Sequence, residues 1–427
     1  MNAATFFDGE GWREGLVELI DGRMLLRDER PAPGAPRLDG VVIGGFTDHH
    51  VHLQLVDHTL LGSSTLGRVV DLGANPEAIA ALAAARFVSV AGAPSLNERG
   101  VDDTDARSLS ERSETTRVHA RTLDDREADH THTHAHTLED REGDHPRSLS
   151  ERSETKRTDA HTLADRGVDR TDAHTLEDRE GDHPRSLSER SETKRAPHRV
   201  AIDFAGAFLT PVGGYPSDRD WAPAGSFREI ADAETAHAAV TEMADAGASV
   251  IKVASNTDAG PVFADDLFRA IVDAASGRGL PVVAHAQGAG EAQRVARLGA
   301  TRQAHAPFTE RLDDSEIAAQ AASVAWISTL SIHDGDTLAT AVDNVRRFHA
   351  AGGTVLYGTD MGNGPTPVGL NPAELDALRD AGIDGDDLLR SLAPQDPRDL
   401  ASVLLHLADV TATPSSARPL TPADLKV

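Results

Sequence analysis

Short apolar runs recur along the chain, and several end on a side chain that can bind a metal or move a proton. They are VVIGGFTDHHVHL (41–53), ASVIKVAS (248–255), LPVVAHAQ (280–287), ATRQAHAP (300–307) and GTVLYGTD (353–360). Each reads as a buried strand with its polar residue at the end. Between them lie segments with helical spacing, such as PEAIAALAAA, ETAHAAVTEMADAG, DDLFRAIVDAASGRG and TLATAVDNVRRFHAAGG. Counting VVIGGF, RVVDLG, RVAIDFAG and VAWISTL with the others gives eight strands, each but the last followed by a helix. That alternation predicts an α/β fold, a (β/α)₈ TIM barrel, whose working face lies where the strands end.

The rest of the pattern departs from the barrel. GLVELIDGRMLL predicts a hairpin turning at Asp21-Gly22 in a short N-terminal β segment. From about residue 98 to 198 the chain is charged, histidine-rich and repetitive: HTLEDREGDHPRSLSERSETKR stands at 136–157 and again at 174–195. A stacked repeat must carry an apolar face, and these copies offer too little apolar surface to offset ordering entropy. They predict a low-complexity, disordered insertion. The expected organisation is 1–40 as N-terminal β segment, 41–97 as the first part of the barrel and 98–198 as insertion. Residues 199–400 complete the barrel, and 401–427 form a loose C-terminal tail.

Composition narrows the chemistry. A net charge of -27 disfavours nucleic acid as a partner. The absence of cysteine excludes disulfides, thiolate zinc sites and a cysteine nucleophile. No stretch has the length and apolarity of a membrane span, and the N-terminus lacks the features of a secretory signal. The expectation is a cytoplasmic protein acting on a small-molecule substrate, with a homo-oligomer left open.

The candidate chemistry follows from the strand ends. His50 and His52 are two apart, so on a strand both point to one face and can hold one divalent metal; two ordinary polar residues at a strand end are the alternative. HTHTHAH at 130–136 has the same spacing but sits in the insertion. Lys252 lies inside an apolar run, where its charge must be removed or paired. It either snorkels to the strand end or is carbamylated, giving a carboxylate that bridges two cations. His285 and His305 are either buried neutral imidazoles or ligands of a second metal. Asp360 can bind one metal and accept a proton from a bridging water, and Gly358 and Gly362 let backbone approach it. Asp48 is a candidate for orienting a ligand imidazole or for capping the strand. Tyr215, His333 and Asn363 follow strands three, seven and eight and are candidates for substrate binding. Glu374, in NPAELDALRD, is expected as a first-turn helix charge.

The order of these residues resembles the amidohydrolase superfamily. GGFTDHHVH is similar to its Pro-Gly-Phe-Ile-Asp-x-His-x-His signature, with glycine replacing proline and threonine the aliphatic residue. Lys252, His285, His305 and Asp360 fall where the family carries its lysine, two further histidines and aspartate. AFLTPVGGYP and GTDMGN look most like the imidazolonepropionase-like branch, which includes prolidase-type dipeptidases. The resemblance covers about 41–85 and 200–395. It implies two divalent metal ions, usually Zn²⁺, with a bridging hydroxide and carbamylated Lys252 as bridging ligand, and Asp360 as catalytic base then acid. The implied enzyme is a hydrolase of carbon–nitrogen bonds other than peptide bonds, acting on a cyclic amide, N-acyl or dipeptide-like substrate. A hydrolase of esters, lactones or phosphotriesters, and a catalytically inert His-rich metal-binding protein, remain as alternatives. Two departures stand out: the β-sandwich appears reduced, its closing strands unrecognisable after the barrel, and the insertion interrupts the link from second helix to third strand.

Overall fold

The computed structural model describes residues 1–85 and 199–426. The repeats, HTHTHAH and the stretch RFVSVAGAPSL lie outside the described residues. In chain order the elements begin with β1 (Asn2–Phe7), β2 (Trp12–Ile20), β3 (Arg23–Arg27), β4 (Arg37–Gly44), β5 (Phe46–Val51), β6 (Leu66–Asp71) and α1 (Pro76–Ala85). After residue 199 come β7 (Ala201–Phe204), β8 (Phe208–Pro211), β9 (Phe227–Ile230), α2 (Ala233–Asp245), β10 (Ile251–Asn256), α3 (Asp265–Gly277) and β11 (Val282–Gln287). Next are α4 (Glu291–Arg297), β12 (Arg302–Gln303), α5 (Asp314–Ala321), β13 (Ala325–Ile327), α6 (Gly335–Ala350) and β14 (Val355–Leu356). The chain closes with α7 (Pro372–Asp380), α8 (Gly385–Ser391), β15 (Leu404–Leu407) and β16 (Arg418–Pro419).

One layer is a six-stranded sheet in the order β16-β15-β4-β1-β2-β3. β2 and β3 form the expected hairpin, with Asp21 and Gly22 both at positive φ. Side chains alternate across β1: Phe6 joins a small cluster with Val17, Leu26, Val42 and Leu404, while Phe7 faces the main core. Here the sequence expectation needs two corrections. The segment after 401 is not a loose tail, because β15 pairs antiparallel with β4 and β16 pairs with β15. Its strands are four and two residues long, too short to show a period. VVIGGF is not the first barrel strand either: its first four residues belong to β4, and the chain changes sheets at Gly45. A Cβ there would lie 2.7 Å from the Gly67 backbone, so only glycine allows the crossing.

The other strands form a three-stranded parallel sheet, β5-β6-β7, and a seven-stranded parallel sheet, β14-β13-β12-β11-β10-β8-β9. Backbone bonds join them along both seams. Ser249 N donates to Phe204 O at 2.9 Å on one side, and His49 N donates to Tyr357 O at 3.0 Å on the other. A parallel bridge pairs Val51 with Met361. The third apolar run is split into β7 and β8 at Gly206, which has φ 75°. Helices follow the later strands as the spacing predicts, but two single 3₁₀ segments, Leu53–Leu55 and His58–Ser63, stand where a first helix was expected. Val70, Leu72, Ala205, Val250, Val283, Ala304 and Ile327 form a separate buried cluster, drawn from successive strands. No helix among the described residues is long and apolar enough to cross a membrane.

Candidate metal centre

The site follows from side-chain alternation on the parallel strands. Val250 and Val283 belong to the inner cluster, so Lys252 and His285, two residues further along their strands, face the same way. Lys252 does not end its run: it is the second residue of β10, in register with Val283, and its long side chain extends to the cavity. His50 lies on β5 and His52 just past it; His305 follows β12 and Asp360 follows β14. All six line one cavity of about 440 Å³, with Phe208, Tyr215 and Asn363 in its wall. Of the three substrate-binding candidates, Tyr215 and Asn363 are therefore in that wall, and His333 is not. The His333 ring packs on Phe308 at 4.3 Å, which in turn lies 6.1 Å from the His305 ring.

His50, His52 and Asp360 each offer a ligand atom within 4.8 Å of the others. Asp360 Oδ1 lies 3.3 Å from His50 Nε2 and 3.1 Å from His52 Nε2. The His305 ring is 4.8 Å from that of His50 and 4.9 Å, edge-on, from that of His285. His50 Nδ1 sits 2.8 Å from Ala304 O, and His305 Nδ1 sits 2.9 Å from Thr329 Oγ1. A neutral ring donating from Nδ1 leaves the Nε2 lone pair for the cavity. His50 Nε2, His285 Nε2 and Asp360 Oδ1 are buried with no hydrogen-bond partner. Such orphans are rare in native interiors, and divalent cations with nitrogen and oxygen ligands would satisfy them.

Burial sets the charge states. It lowers Lys252 to about 7 against the attraction of Asp360 and Asp71. It lowers His285 to about 3 and holds His50 and His305 well below their ordinary values. Burial works the other way on Asp360, but His50 and His52 outweigh it and keep the carboxyl well below the usual range. His52 differs: burial lowers it, but the Asp360 carboxylate beside it outweighs that and raises it. The cavity thus holds three imidazoles kept neutral, His50, His285 and His305, around one ionised carboxylate paired with His52.

The backbone around this set is tightly fixed. Asp48, fully buried, accepts from His50 N at 3.0 Å and from Thr359 N and Oγ1, tying β5 to the segment carrying Asp360. Asp48 thus bonds backbone N–H groups and the Thr359 hydroxyl rather than the ring of His50 or His52. Asp360 itself adopts φ 52°, a left-handed conformation that costs a non-glycine residue about 1–3 kcal/mol. Beside it, a Cβ on Gly358 would lie 3.2 Å from His50 Cβ, and one on Gly362 would lie 2.8 Å from His52 O.

Several contributors are absent from the sequence reading. Asp71 ends β6, is fully buried, and accepts from Leu53 N at 2.7 Å and Gly73 N at 3.0 Å, fixing the backbone just past His52. A carboxylate inside RVVDLG is the same signal that singled out Lys252. Phe208 stacks on the His52 ring at 5.7 Å. Glu374 stands in the first turn of α7 as expected, but it is fully buried and accepts from Leu330 N at 2.9 Å and Ser331 N at 2.7 Å. Its helix buries Ala377 and Leu378, three and four residues on, so the position was on the core face all along.

No family model matches this sequence, and no curated protein matches it. Solved structures do share its fold. A Xaa-Pro dipeptidase with methionine in its active site aligns at TM-score 0.53 and 14% identity, over 96% of this chain and 93% of that one. Ochratoxinase from A. niger aligns at TM-score 0.51 and 12% identity, over 98% and 94%. Phenylurea hydrolase B aligns at TM-score 0.50 and 13% identity, over 95% and 90%.

Proposed function

We propose that the chain is a metal-dependent hydrolase of the amidohydrolase superfamily. It cleaves a carbon–nitrogen bond in a small cyclic amide, N-acyl or dipeptide-like substrate. The scaffold is one eight-stranded barrel, β7 and β8 counting as halves of one strand and β9 lying outside the ring on the edge of β8; the seam bonds of His49 and Ser249 support that closure. The observation that carries the proposal is the buried set of unpartnered ligand atoms on His50, His285 and Asp360. His50, His52 and Asp360 would hold one ion, and His285 and His305 a second, with Lys252 between them as a carbamate and zinc the expected metal. A lysine held near neutrality by burial has the free amine that adds to carbon dioxide. The fold shared with a dipeptidase and a phenylurea hydrolase points to the same bond type.

Bound there, two divalent ions would supply Lewis acidity, making water acidic near neutral pH and polarising a carbonyl. The residues of the chain do the rest. Asp360 Oδ1 faces the two imidazoles, and Asn363 Nδ2 donates to Oδ2 at 2.8 Å, aiming that oxygen at the cavity. Oδ2 takes the proton from the attacking water and gives it to the leaving nitrogen. Tyr215, stacked 5.2 Å from His285, and Phe208, stacked on His52, form flat walls that exclude bulk water.

The test is metal analysis of the purified full chain, with hydrolysis assays on N-acyl amino acids, Xaa-Pro dipeptides and cyclic ureides. Two tightly held ions per chain and turnover of one amide class are expected. A chain that binds no tight metal, or that turns over esters and no amide, overturns the reading.

A further inference from the structure

Glu374 sits on α7, yet its carboxylate serves a turn on another element. The 3₁₀ turn Leu330–Ile332 begins at Thr329, and threonine at such a position ordinarily caps its own turn. Here the Thr329 side chain makes no such cap. Its Oγ1 lies instead 2.9 Å from His305 Nδ1, and Thr329 is held at φ 43° by its N–H bond to Gly358 O. Two N–H groups at the start of this turn, Leu330 N and Ser331 N, are taken by Glu374 Oε1 and Oε2. Asn371, the cap of α7, donates to Ser331 Oγ at 3.0 Å and pins the same turn.

We propose that Glu374 is a positioning residue for His305. By capping the turn in place of Thr329, it frees the threonine hydroxyl to hold His305 Nδ1–H, which leaves Nε2 unprotonated and aimed into the cavity. The inference rests on the metal-centre reading above. Glu374 has no exposed surface and sits against two backbone donors of a strained turn, with the hydroxyls of Ser328 and Ser331 bonding it as well.

The test uses the full chain, first without metal. ¹⁵N spectra of histidine-labelled protein, with His305→Gln used for assignment, report which ring nitrogen carries the proton. Wild type should show His305 protonated at Nδ1 alone. Glu374→Gln, which presents an amide donor to one of the two N–H groups, should give mixed tautomers. Thr329→Val should do the same, and Thr329→Ser should restore the single form. Cobalt(II) titration should then show one of two binding steps weakened about 10–100-fold in Glu374→Gln and Thr329→Val. Should Glu374→Gln fail to fold, Glu374→Asp, which keeps the charge but shortens the reach, carries the same expectation. A folded Glu374 variant with the wild-type tautomer overturns the proposal. Wild type that binds no cobalt overturns the metal-centre reading instead, and the tautomer measurement, made without metal, separates the two failures.

Discussion

The two halves of the cavity are built differently. On one side His50, His52 and Asp360 already stand within 4.8 Å of one another, and the carboxylate brings its own negative charge. On the other, His285 and His305 meet edge-on, Lys252 lines the same cavity, and no carboxylate is in that group. Two imidazoles and an amine give a divalent ion no charge compensation in a buried place. On the proposed reading, the first half would be a complete site and the second would be completed only if Lys252 became an anion. The proposed centre would thus contain a permanent half and a conditional one.

The largest effect that would test this difference is Asp360→Asn. It removes the one charge of the permanent half and the proton carrier together. Metal affinity should fall by more than the about 100-fold that losing an outer partner costs, and hydrolysis should fall to background. Isothermal titration and the amide assay check it. Retention of both tight ions would mean that the halves are not arranged as described.

Lys252→Met comes next and touches the conditional half alone. One of two ions should be lost, while the His50 half still binds. Metal-free stability gives a second reading. The amine titrates near 10.5 unfolded and about 7 folded, so between those values the unfolded chain holds the extra proton. Stability of the wild type should then rise with pH across that window, by at most about 1.4 kcal/mol per unit from this group. Below about pH 7 the contribution is flat. In Lys252→Met the rise should vanish, as read from denaturant melts at pH 7 and pH 10. An unchanged slope would place the lysine charge elsewhere.

The same contrast shows what could be read in the sequence. His50, His52, His285, His305 and Asp360 were legible because each closes an apolar run, and strand alternation then leaves little choice of direction. Lys252 was found for a different reason, a charge inside such a run, although it sits at the start of β10. Asp71 gives that same signal in RVVDLG, and Glu374 lies on the buried stripe of its helix. What could not be read are pairings made across the fold. Thr329 reaching His305 depends on a turn from a different unit, and β15 joining β4 brings residues some 360 positions apart together, from strands too short to carry a period. The change of sheet at Gly45 is of the same kind, since it depends on Gly67 passing alongside.

The smallest effect expected is Asn363→Ala. The Asn363 side chain donates to Asp360 Oδ2, while its backbone N–H bond to Asp360 O survives the substitution, so the permanent half should keep its metal. What is lost is one hydrogen bond to a charged group, worth about 1.5–3 kcal/mol, that aims the proton-carrying oxygen. Part of that is recovered by water, because Asn363 is exposed at the cavity mouth. The turnover rate should fall about tenfold with KM and metal content nearly unchanged, and Asn363→Asp should be worse than alanine because it sets a second carboxylate against the first. If alanine instead loses metal, Asn363 helps to build the ion site, and the division of labour between Oδ1 and Oδ2 of Asp360 has to be redrawn.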